Sequence, residues 1–573
     1  MARIRIAACQ LNPVVGDLAG NAGRIVAALR RADEAGCDLA VFPELAVTGY
    51  PPEDLLLKPG FVADNLAALD RVAAAAKGCS AIVGFVEEGL DLHNAAAVCA
   101  NGTVVGTQRK QLLPNYSVFD EQRYFAPGGP TPQLYLVAGV RVGVSICEDA
   151  WSPTGPVAEQ AAGGAELVVN VNASPYSAGR LEERERMLAT RAADASCALV
   201  YVNQVGGQDE LVFDGASMFL DQTGRVVASA RQFVEDMLVV DLEVQPAFRK
   251  RLLDPRGRHH AAPLPAVAVS AASRAEGPRL VPGRAATLGP DEEVYEALVL
   301  GTRDYVSKNG FTDALVGLSG GIDSSLVAAI ATDALGADRV HGVALPSRYS
   351  TEGSLSDAAA LARGLGVDLV TVPIEGAHAA LLDILAAPLG GPPHGVTEEN
   401  LQSRIRGVVL MALSNARGWI VLTTGNKSEL ATGYSTLYGD TAGGFGVIKD
   451  VPKTLVYRLC RARNARAGTD LIPASVLAKP PSAELRPDQR DEDSLPPYDV
   501  LDPVLAAYVE EDRTAADLVA GGFPAELVDR VTGLVDRAEY KRRQGPPGVR
   551  VSPKAFGKDR RVPITNRYPS STR

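Results

Sequence analysis

Ala314-Leu-Val-Gly-Leu-Ser-Gly-Gly-Ile-Asp-Ser-Ser-Leu326 is the stretch whose reading decides the fold. Residues 314–318 form a short apolar run, expected to be a buried strand. It passes through Ser319-Gly320-Gly321 into Leu326-Val-Ala-Ala-Ile-Ala331, which has helical composition. Strand, glycine turn and helix make a phosphate cradle. Gly320 and Gly321 let the backbone approach an anion, and the first helix amides point unpaired N–H groups at it with the helix dipole behind them. Ser319, Ser324 and Ser325 add hydroxyl donors, whereas Asp323 is suited to hold a divalent metal carried on the phosphates. The loop therefore asks for a nucleotide with magnesium. A glycine-serine turn before an ordinary α/β helix would account for a bare Ser-Gly-Gly; the full string after a clean strand favours the ligand.

Working outward, 573 residues are too many for one core, and two domains are expected. An apolar content of 46% and a charged content of 22% are ordinary for globular chains. The net charge of −11 argues against a nonspecific nucleic-acid binder, which would carry a basic footprint. Seven cysteines, at 9, 37, 79, 99, 147, 197 and 460, form no C-x-x-C pair, so neither a disulfide framework nor structural zinc is expected, and the compartment reads as reducing. The start, Met-Ala-Arg-Ile-Arg-Ile-Ala-Ala, has no apolar core of a signal peptide, and eighteen uninterrupted apolar residues occur nowhere. A cytoplasmic protein without membrane spans is expected.

From the N-terminus, Arg3-Ile-Arg-Ile-Ala-Ala8 alternates as a strand, residues 21–35 carry helical spacing, and Leu39-Ala-Val-Phe42 is a second strand. Similar strands recur at 81–86, 140–146, 167–171 and 199–202, with Ala-rich helices beside most of them, so residues 1–248 read as a layered sheet-and-helix domain. Residues 249–290 dissolve into Pro, Gly, Ala and Arg, including His259-His-Ala-Ala-Pro-Leu-Pro265, and read as a linker. Residues 291–573 follow as a second domain. Its strands at 340–345, 367–372 and 419–424 alternate with helices such as 354–365 and 401–417, which predicts a doubly wound parallel sheet with its ligand at the carboxyl edge. Past Asp470 the chain is rich in Pro and charge, and Arg542-Arg-Gln-Gly-Pro-Pro-Gly548 reads as a mobile loop.

The first domain carries a separate chemistry. Glu44 in Val-Phe-Pro-Glu-Leu-Ala-Val-Thr-Gly-Tyr, Lys110 in Gln-Arg-Lys-Gln-Leu-Leu-Pro-Asn-Tyr and Cys147 in Val-Ser-Ile-Cys-Glu-Asp-Ala-Trp all stand at the ends of expected strands. A cysteine becomes a nucleophile when a carboxylate takes its proton, and an ammonium can stabilise both thiolate and oxyanion. Taken singly, such a cysteine is usually a small core residue and the other two are usually solvated caps; three together are harder to dismiss.

The loop at Ser319 lacks the G-x-x-x-x-G-K-[ST] pattern and its lysine. It resembles instead the pyrophosphate loop of the ATP pyrophosphatase superfamily, whose members adenylate a substrate. The set Glu44, Lys110 and Cys147 resembles the triad of the nitrilase superfamily, which hydrolyses amides through a thioester. That resemblance implies an α-β-β-α sandwich for the N-terminal domain, beside an adenine nucleotide alpha hydrolase-like doubly wound sheet, an α/β chain throughout. It also suggests Glu121 as an auxiliary catalytic glutamate, and Tyr116, Glu148, Ser174 and Arg180 as contacts for glutamine. A free amino acid needs cationic or hydroxyl partners for its carboxylate and oxygen acceptors for its ammonium.

An amidase joined to an adenylating domain implies an amidotransferase. Over nearly its whole length the chain is similar to the glutamine-dependent NAD synthetases, with Glu399-Asn-Leu-Gln-Ser-Arg404, Thr423-Thr-Gly-Asn-Lys-Ser-Glu429, Tyr438-Gly-Asp-Thr-Ala-Gly-Gly444, Lys449-Asp-Val-Pro-Lys453 and Pro480-Pro-Ser-Ala-Glu-Leu485 in support. The resemblance implies that Gly317, Leu318, Ser319, Gly320, Gly321, Ile322, Asp323 and Ser324 hold ATP phosphates, with Thr424 and Ser482 also on ATP. Asp323 and Glu429 would carry Mg2+. Asn400, Arg404, Glu429, Asp440 and Lys541 would contact deamido-NAD, with Lys449 as a neighbour. Leu437 departs from the lysine expected there in the ammonia-only relatives. A homo-oligomer paired through synthetase helices is implied, and 401–417 offers an apolar stripe of Ile405, Val408, Val409, Ala412 and Leu413. The rivals are another ATP-pyrophosphatase amidotransferase and an inactive nucleotide-binding regulator. The nitrilase-like triad speaks against the first, and intact Glu44, Lys110, Cys147 and Asp323 against the second.

Overall fold

The computed structural model describes residues 2–253, 262–280 and 283–568. The chain divides into two compact units, Met1–Gln208 with Val212–Leu288, and Asp209–Leu211 with Gly289–Arg573.

The first unit is a sandwich of two sheets between helices. One sheet has six strands in the order Asp236–Val244, Ala2–Gln10, Leu39–Val41, Ser80–Glu88, Leu92–Ala100, Thr103–Arg109. The other has seven, in the order Val226–Ser229, Met218–Leu220, Ala198–Asn203, Leu167–Asn172, Val140–Ile146, Leu134–Val137, Ala266–Ala268. Strand periodicity of two sorts each strand between two cores. In Ala2–Gln10, Ile4, Ile6 and Ala8 enter the core between the sheets, packed with Val144, Val169 and Val200 of the opposite sheet. Ala7 and Cys9 face the other way, onto Ile25 and Leu29 of helix Leu18–Glu34 and Val72 of helix Pro59–Ala75. On the outside of the second sheet, Val168 and Leu199 meet Val157 and Leu188 of helices Pro156–Ala162 and Arg180–Ala195. The α-β-β-α order follows.

Within 249–290, residues 254–261 (with His259 and His260) and 281–282 lie outside the described residues. The described part straps the first unit. Ala266–Ala268 adds a parallel edge strand to Leu134–Val137, and the Ser273 hydroxyl and Arg274 amide donate to Asp38 at 2.8 and 2.6 Å.

The second unit is built on a five-stranded parallel sheet, ordered Asp368–Thr371, Val340–Ala344, Ala314–Gly317, Ile420–Thr423, Phe445–Gly446. The chain starts at the central strand, runs to one edge, then returns to the other side. The reversal lies between Ala314–Gly317 and Ile420–Thr423, where a doubly wound sheet opens its crevice. A helical layer closes the C-terminal part, with Leu501, Val504, Leu518, Val528 and Val535 in one core. The stretch 542–548, read as a mobile loop, is pinned instead. Arg542 is buried and donates to Ala431 O and Val535 O at 2.7 and 2.6 Å, and Gly446 N donates to Pro547 O at 2.8 Å. Burial of the guanidinium against helix-end carbonyls is what holds it.

Candidate functional site

In the first unit, strand ends deliver three side chains to one buried place. Glu44 follows strand Leu39–Val41, Lys110 follows Thr103–Arg109, and Cys147 follows Val140–Ile146. A Cβ at Gly84 would stand 2.2 Å from Leu45 N and 2.4 Å from Pro43 O, so only glycine lets the Glu44 segment lie against its neighbour strand. The Lys110 ammonium bridges Glu44 Oε1 at 2.7 Å and Glu121 Oε1 at 2.8 Å, with no side-chain exposure at Lys110 or Glu44. Asn94 Nδ2 donates to Glu44 Oε1 at 2.7 Å, the Ala173 amide to Glu44 Oε2 at 2.9 Å, and the Tyr50 hydroxyl to Glu121 at 2.8 Å.

Burial pushes the Cys147 thiol well above its ordinary pKa; Glu44 adds to this, and Lys110 opposes it. Burial alone would lower the Lys110 ammonium, but Glu121 and Glu44 hold it well above its usual range. Burial also raises Glu121, against the pull of Lys110. The site therefore keeps a neutral thiol beside a carboxylate already relieved of part of its charge by lysine. This arrangement can pass a proton from sulfur to carboxylate as sulfur attacks.

Tyr116, Glu148 and Arg180 gather at the same place. The Tyr116 hydroxyl is 3.0 Å from both Glu148 oxygens, and burial, then Glu148, raises its pKa, with Cys147 and Arg180 among its further electrostatic neighbours. Arg180 lies 4.2 Å over the Trp151 ring and pairs with Glu183 at 2.5 Å. Ser174 is buried, its amide donating to Asn203 Oδ1 at 2.9 Å. Asn94 and Tyr50 escaped sequence reasoning; Asn94 lies in an Ala-rich strand and carries no local sign of its partner.

In the second unit, a cleft of about 690 Å³ opens at the crevice of the sheet. Gly317, Leu318, Ser319, Gly321, Ile322, Asp323 and Ser324 line it. Gly320 does not; it has a φ of +75°, and a Cβ there would stand 2.1 Å from Ser354 O. Ser319 Oγ accepts from Gly321 N at 3.1 Å and lies 3.1 Å from Ser324 Oγ, so the turn is held by its own hydroxyls. Thr424 and Ser482 line the cleft, as do Asn400, Glu429, Asp440 and Lys541. Arg404 and Lys449 are not among the lining residues. Arg404 donates to Leu437 O at 3.2 Å and Lys449 to Pro546 O at 2.8 Å.

Asp323 and Glu429 share a cation of the protein's own. Lys453 Nζ lies 2.5 Å from Asp323 Oδ2 and 3.5 Å from Glu429 Oε1, and Asn426 Nδ2 donates to Asp323 Oδ1 at 3.0 Å. Burial, then the like charge of Asp323, pushes Glu429 up to about 8. Two hard oxygen carboxylates in a cleft fit magnesium, which takes one or two protein carboxylates and completes its shell with phosphate oxygens and water. Among the described residues no group of three or more His, Cys, Asp and Glu could hold a metal without such help. Lys453 stood inside a quoted motif, but its partners, 130 and 24 residues away, were not readable from it.

The chain matches two family models, carbon-nitrogen hydrolase over residues 5–247 and NAD synthase over residues 294–545. It is 47% identical over 573 residues to the glutamine-dependent NAD(+) synthetase of Thermotoga maritima, covering 99% of each chain. It is 45% identical over 568 residues to that of Aquifex aeolicus, covering 99% of this chain and 100% of the relative. Among solved structures, the glutamine-dependent NAD+ synthetase of Acinetobacter baumannii, in complex with adenosine diphosphate, aligns with a TM-score of 0.75 at 40% identity over 98% of this chain and 99% of that one. With such identity along nearly the full length of both chains, and both family models matched in order, this chain belongs to the glutamine-dependent NAD(+) synthetases.

Proposed function

We propose that the chain hydrolyses glutamine at Cys147 and uses the ammonia to amidate deamido-NAD that has been adenylated with ATP in the cleft of the second unit. One observation carries this reading: a fully buried lysine bridges two carboxylates beside a strand-end cysteine, in the same chain as a glycine phosphate cradle facing a carboxylate pair.

At the first site, Glu44 takes the thiol proton as sulfur attacks the glutamine amide carbon. Lys110, tied to Glu44 and Glu121, is held ready for the oxyanion. Glu44 then hands its proton to the departing ammonia and activates the water that cleaves the thioester. Glu148 and Tyr116 suit the substrate ammonium, and Arg180 its carboxylate, with Ser174 alongside.

At the second site, the turn lined by Ser319 and Gly321 and the N-terminus of helix Ile322–Leu335 receive the pyrophosphate as the nicotinate carboxylate attacks the α-phosphorus. Thr424 and Ser482 flank the nucleotide; Asn400, Asp440 and Lys541 flank the dinucleotide. Asp323 and Glu429 would hold Mg2+, which when bound neutralises charge on the phosphates. Ammonia then displaces AMP from the acyl adenylate.

We further infer a homo-oligomer. Helices Glu375–Leu389 and Val396–Arg417 pack together, and Ile384, Val408 and Met411 remain 64%, 68% and 38% exposed, apolar side chains that a second copy of the chain would cover. Among the described residues no helix is long and apolar enough to cross a membrane, and all seven cysteines are free and buried, which supports a reducing compartment such as the cytoplasm. The experiment is to supply ATP, magnesium, glutamine and deamido-NAD and look for NAD, AMP and glutamate together. AMP release that does not depend on glutamine or ammonia would refute the proposal.

A further inference from the structure

Asp149 stands two residues after Cys147, in the short 3-10 helix Cys147–Ala150, with no exposed surface. Its side chain collects three backbone amides from two separate segments. Oδ2 accepts from Ile146 N at 3.0 Å, closing the turn that carries Cys147. Oδ1 accepts from Gln111 N at 3.0 Å and Leu112 N at 2.9 Å, the two peptides immediately after Lys110.

The turn it closes needs holding. Cys147 has a φ of +45°, in the left-handed region that a non-glycine residue occupies only when its surroundings impose it. Strand Thr103–Arg109 ends one residue before Lys110, whose own N–H donates to Asn94 O at 2.8 Å and whose C=O accepts from Gly128 N at 2.7 Å, so the peptides left for Asp149 to hold are the two that follow. A carboxylate is the one side chain that can accept on both oxygens at once without donating.

We propose that Asp149 is a positioning residue that sets the distance between the Lys110 ammonium and the Cys147 sulfur by gripping both backbones with one carboxylate. This deepens the proposed glutaminase site and rests on the reading of Cys147 as its nucleophile. The grip is geometric, so its loss costs rate in the chemical step more than substrate affinity. An error of about 1 Å in such a relation costs on the order of 10²-fold.

Asp149→Asn is the test, because it keeps shape while turning one acceptor into an N–H₂ that must face an amide donor. The expected result is a fall of about 10²-fold in kcat for glutamine-driven synthesis. KM for glutamine should move less than about threefold, and ammonia-driven synthesis should stay within about twofold. A glutamine kcat within twofold of wild type overturns the proposal. So does a loss seen wholly in KM. If the variant does not fold, hydrogen exchange of the wild-type chain decides: protected amides at Gln111, Leu112 and Ile146 uphold the grip, and exchange at the rate of an open loop overturns it. Cys147→Ala separates the two readings. If that variant still uses glutamine, the nucleophile assignment has failed; if it does not and Asp149→Asn does, only the grip has failed.

Discussion

Replacing Lys110 by Met should unmake the first unit as well as its chemistry. The ammonium lies 2.7 Å from Glu44 and 2.8 Å from Glu121, and the three side chains are 0%, 0% and 5% exposed. Met fills much the same volume, so packing loss is small and the charge dominates. Removing one partner of a buried pair costs about 3–5 kcal/mol because the other charge is left without compensation. Here two carboxylates lose the same cation, which puts the cost at the upper part of that range, a large share of the roughly 5–15 kcal/mol that holds a domain together. The chain has two tryptophans, Trp151 in the first unit and Trp419 in the second. In a Trp419→Phe background, Trp151 fluorescence during urea unfolding reports the first unit alone, which avoids treating a two-domain chain as two-state. The pH dependence has a sign. Lys110 is raised above its unfolded value, so in the wild type its contribution is full below the unfolded lysine pKa and fades only as pH rises through the folded one. Without it, burial and mutual repulsion lift the carboxylates. The folded variant then binds more protons than the unfolded chain, and its deficit shrinks as pH falls from 8 toward 5.5. A destabilisation below about 1 kcal/mol at pH 8, or one that grows on acidification, would refute the charge argument.

Cys147→Ala should remove glutamine-driven synthesis and leave ammonia-driven synthesis near wild type, since the nucleophile and the adenylation cleft lie in different units; an NAD assay with each nitrogen source checks it, and loss of both activities in a folded variant would count against separate sites. The oligomer rests on exposed Ile384 and Val408. Sedimentation at micromolar concentration should give more than one 60.0 kDa chain, and Ile384→Glu with Val408→Glu should shift it toward the monomer.

What sequence reading reached, and what it missed, divides along a physical line. A strand, a glycine turn and a helix are local, so the cradle at Ser319 was legible in one stretch of thirteen residues. Cys147 was legible only in company: an apolar strand ending on a cysteine reads as core, and it was Glu44 and Lys110, at strand ends in segments resembling the same superfamily, that set it apart. Counter-ions are not local. Asn94 holds Glu44 across 50 residues, and Lys453 holds Asp323 across 130; nothing in either segment names its partner, which depends on how strands are ordered. The edge strand Ala266–Ala268 was missed for a different reason. Three residues of Ala-Val-Ala among Pro, Gly and Arg show no periodicity, and the pairing with Leu134–Val137 alone makes them a strand. Helix Val396–Arg417 shows a third limit: Ile405 is core and Val408 is open, and an apolar stripe reads the same whichever surface will cover it.

Both sites insert a lysine between two carboxylates, yet the two lysines should answer differently to magnesium. Lys110, Glu44 and Glu121 are 0%, 0% and 5% exposed, and magnesium, which sheds its water reluctantly, has little of the carboxylate pair to reach. Lys453 faces a cleft, and its partners Asp323 and Glu429 keep 18% exposure each. In the resting chain Lys453 supplies the positive charge that the carboxylate pair needs. Lys453→Met should therefore destabilise the second unit by about 3–5 kcal/mol without metal. Magnesium should then restore part of the loss, because a ligand that binds only the folded state adds RT ln(1 + [L]/Kd), about 2.7 kcal/mol at a hundredfold excess over Kd. The wild type should gain less, since its lysine already screens the pair and competes for it. Trp419 fluorescence in a Trp151→Phe background measures this with no substrate present. Equal gains in variant and wild type would show that the carboxylates are not the place where magnesium binds, and a gain of the same size in Lys110→Met, read through Trp151, would show that the effect of magnesium is not confined to the open pair.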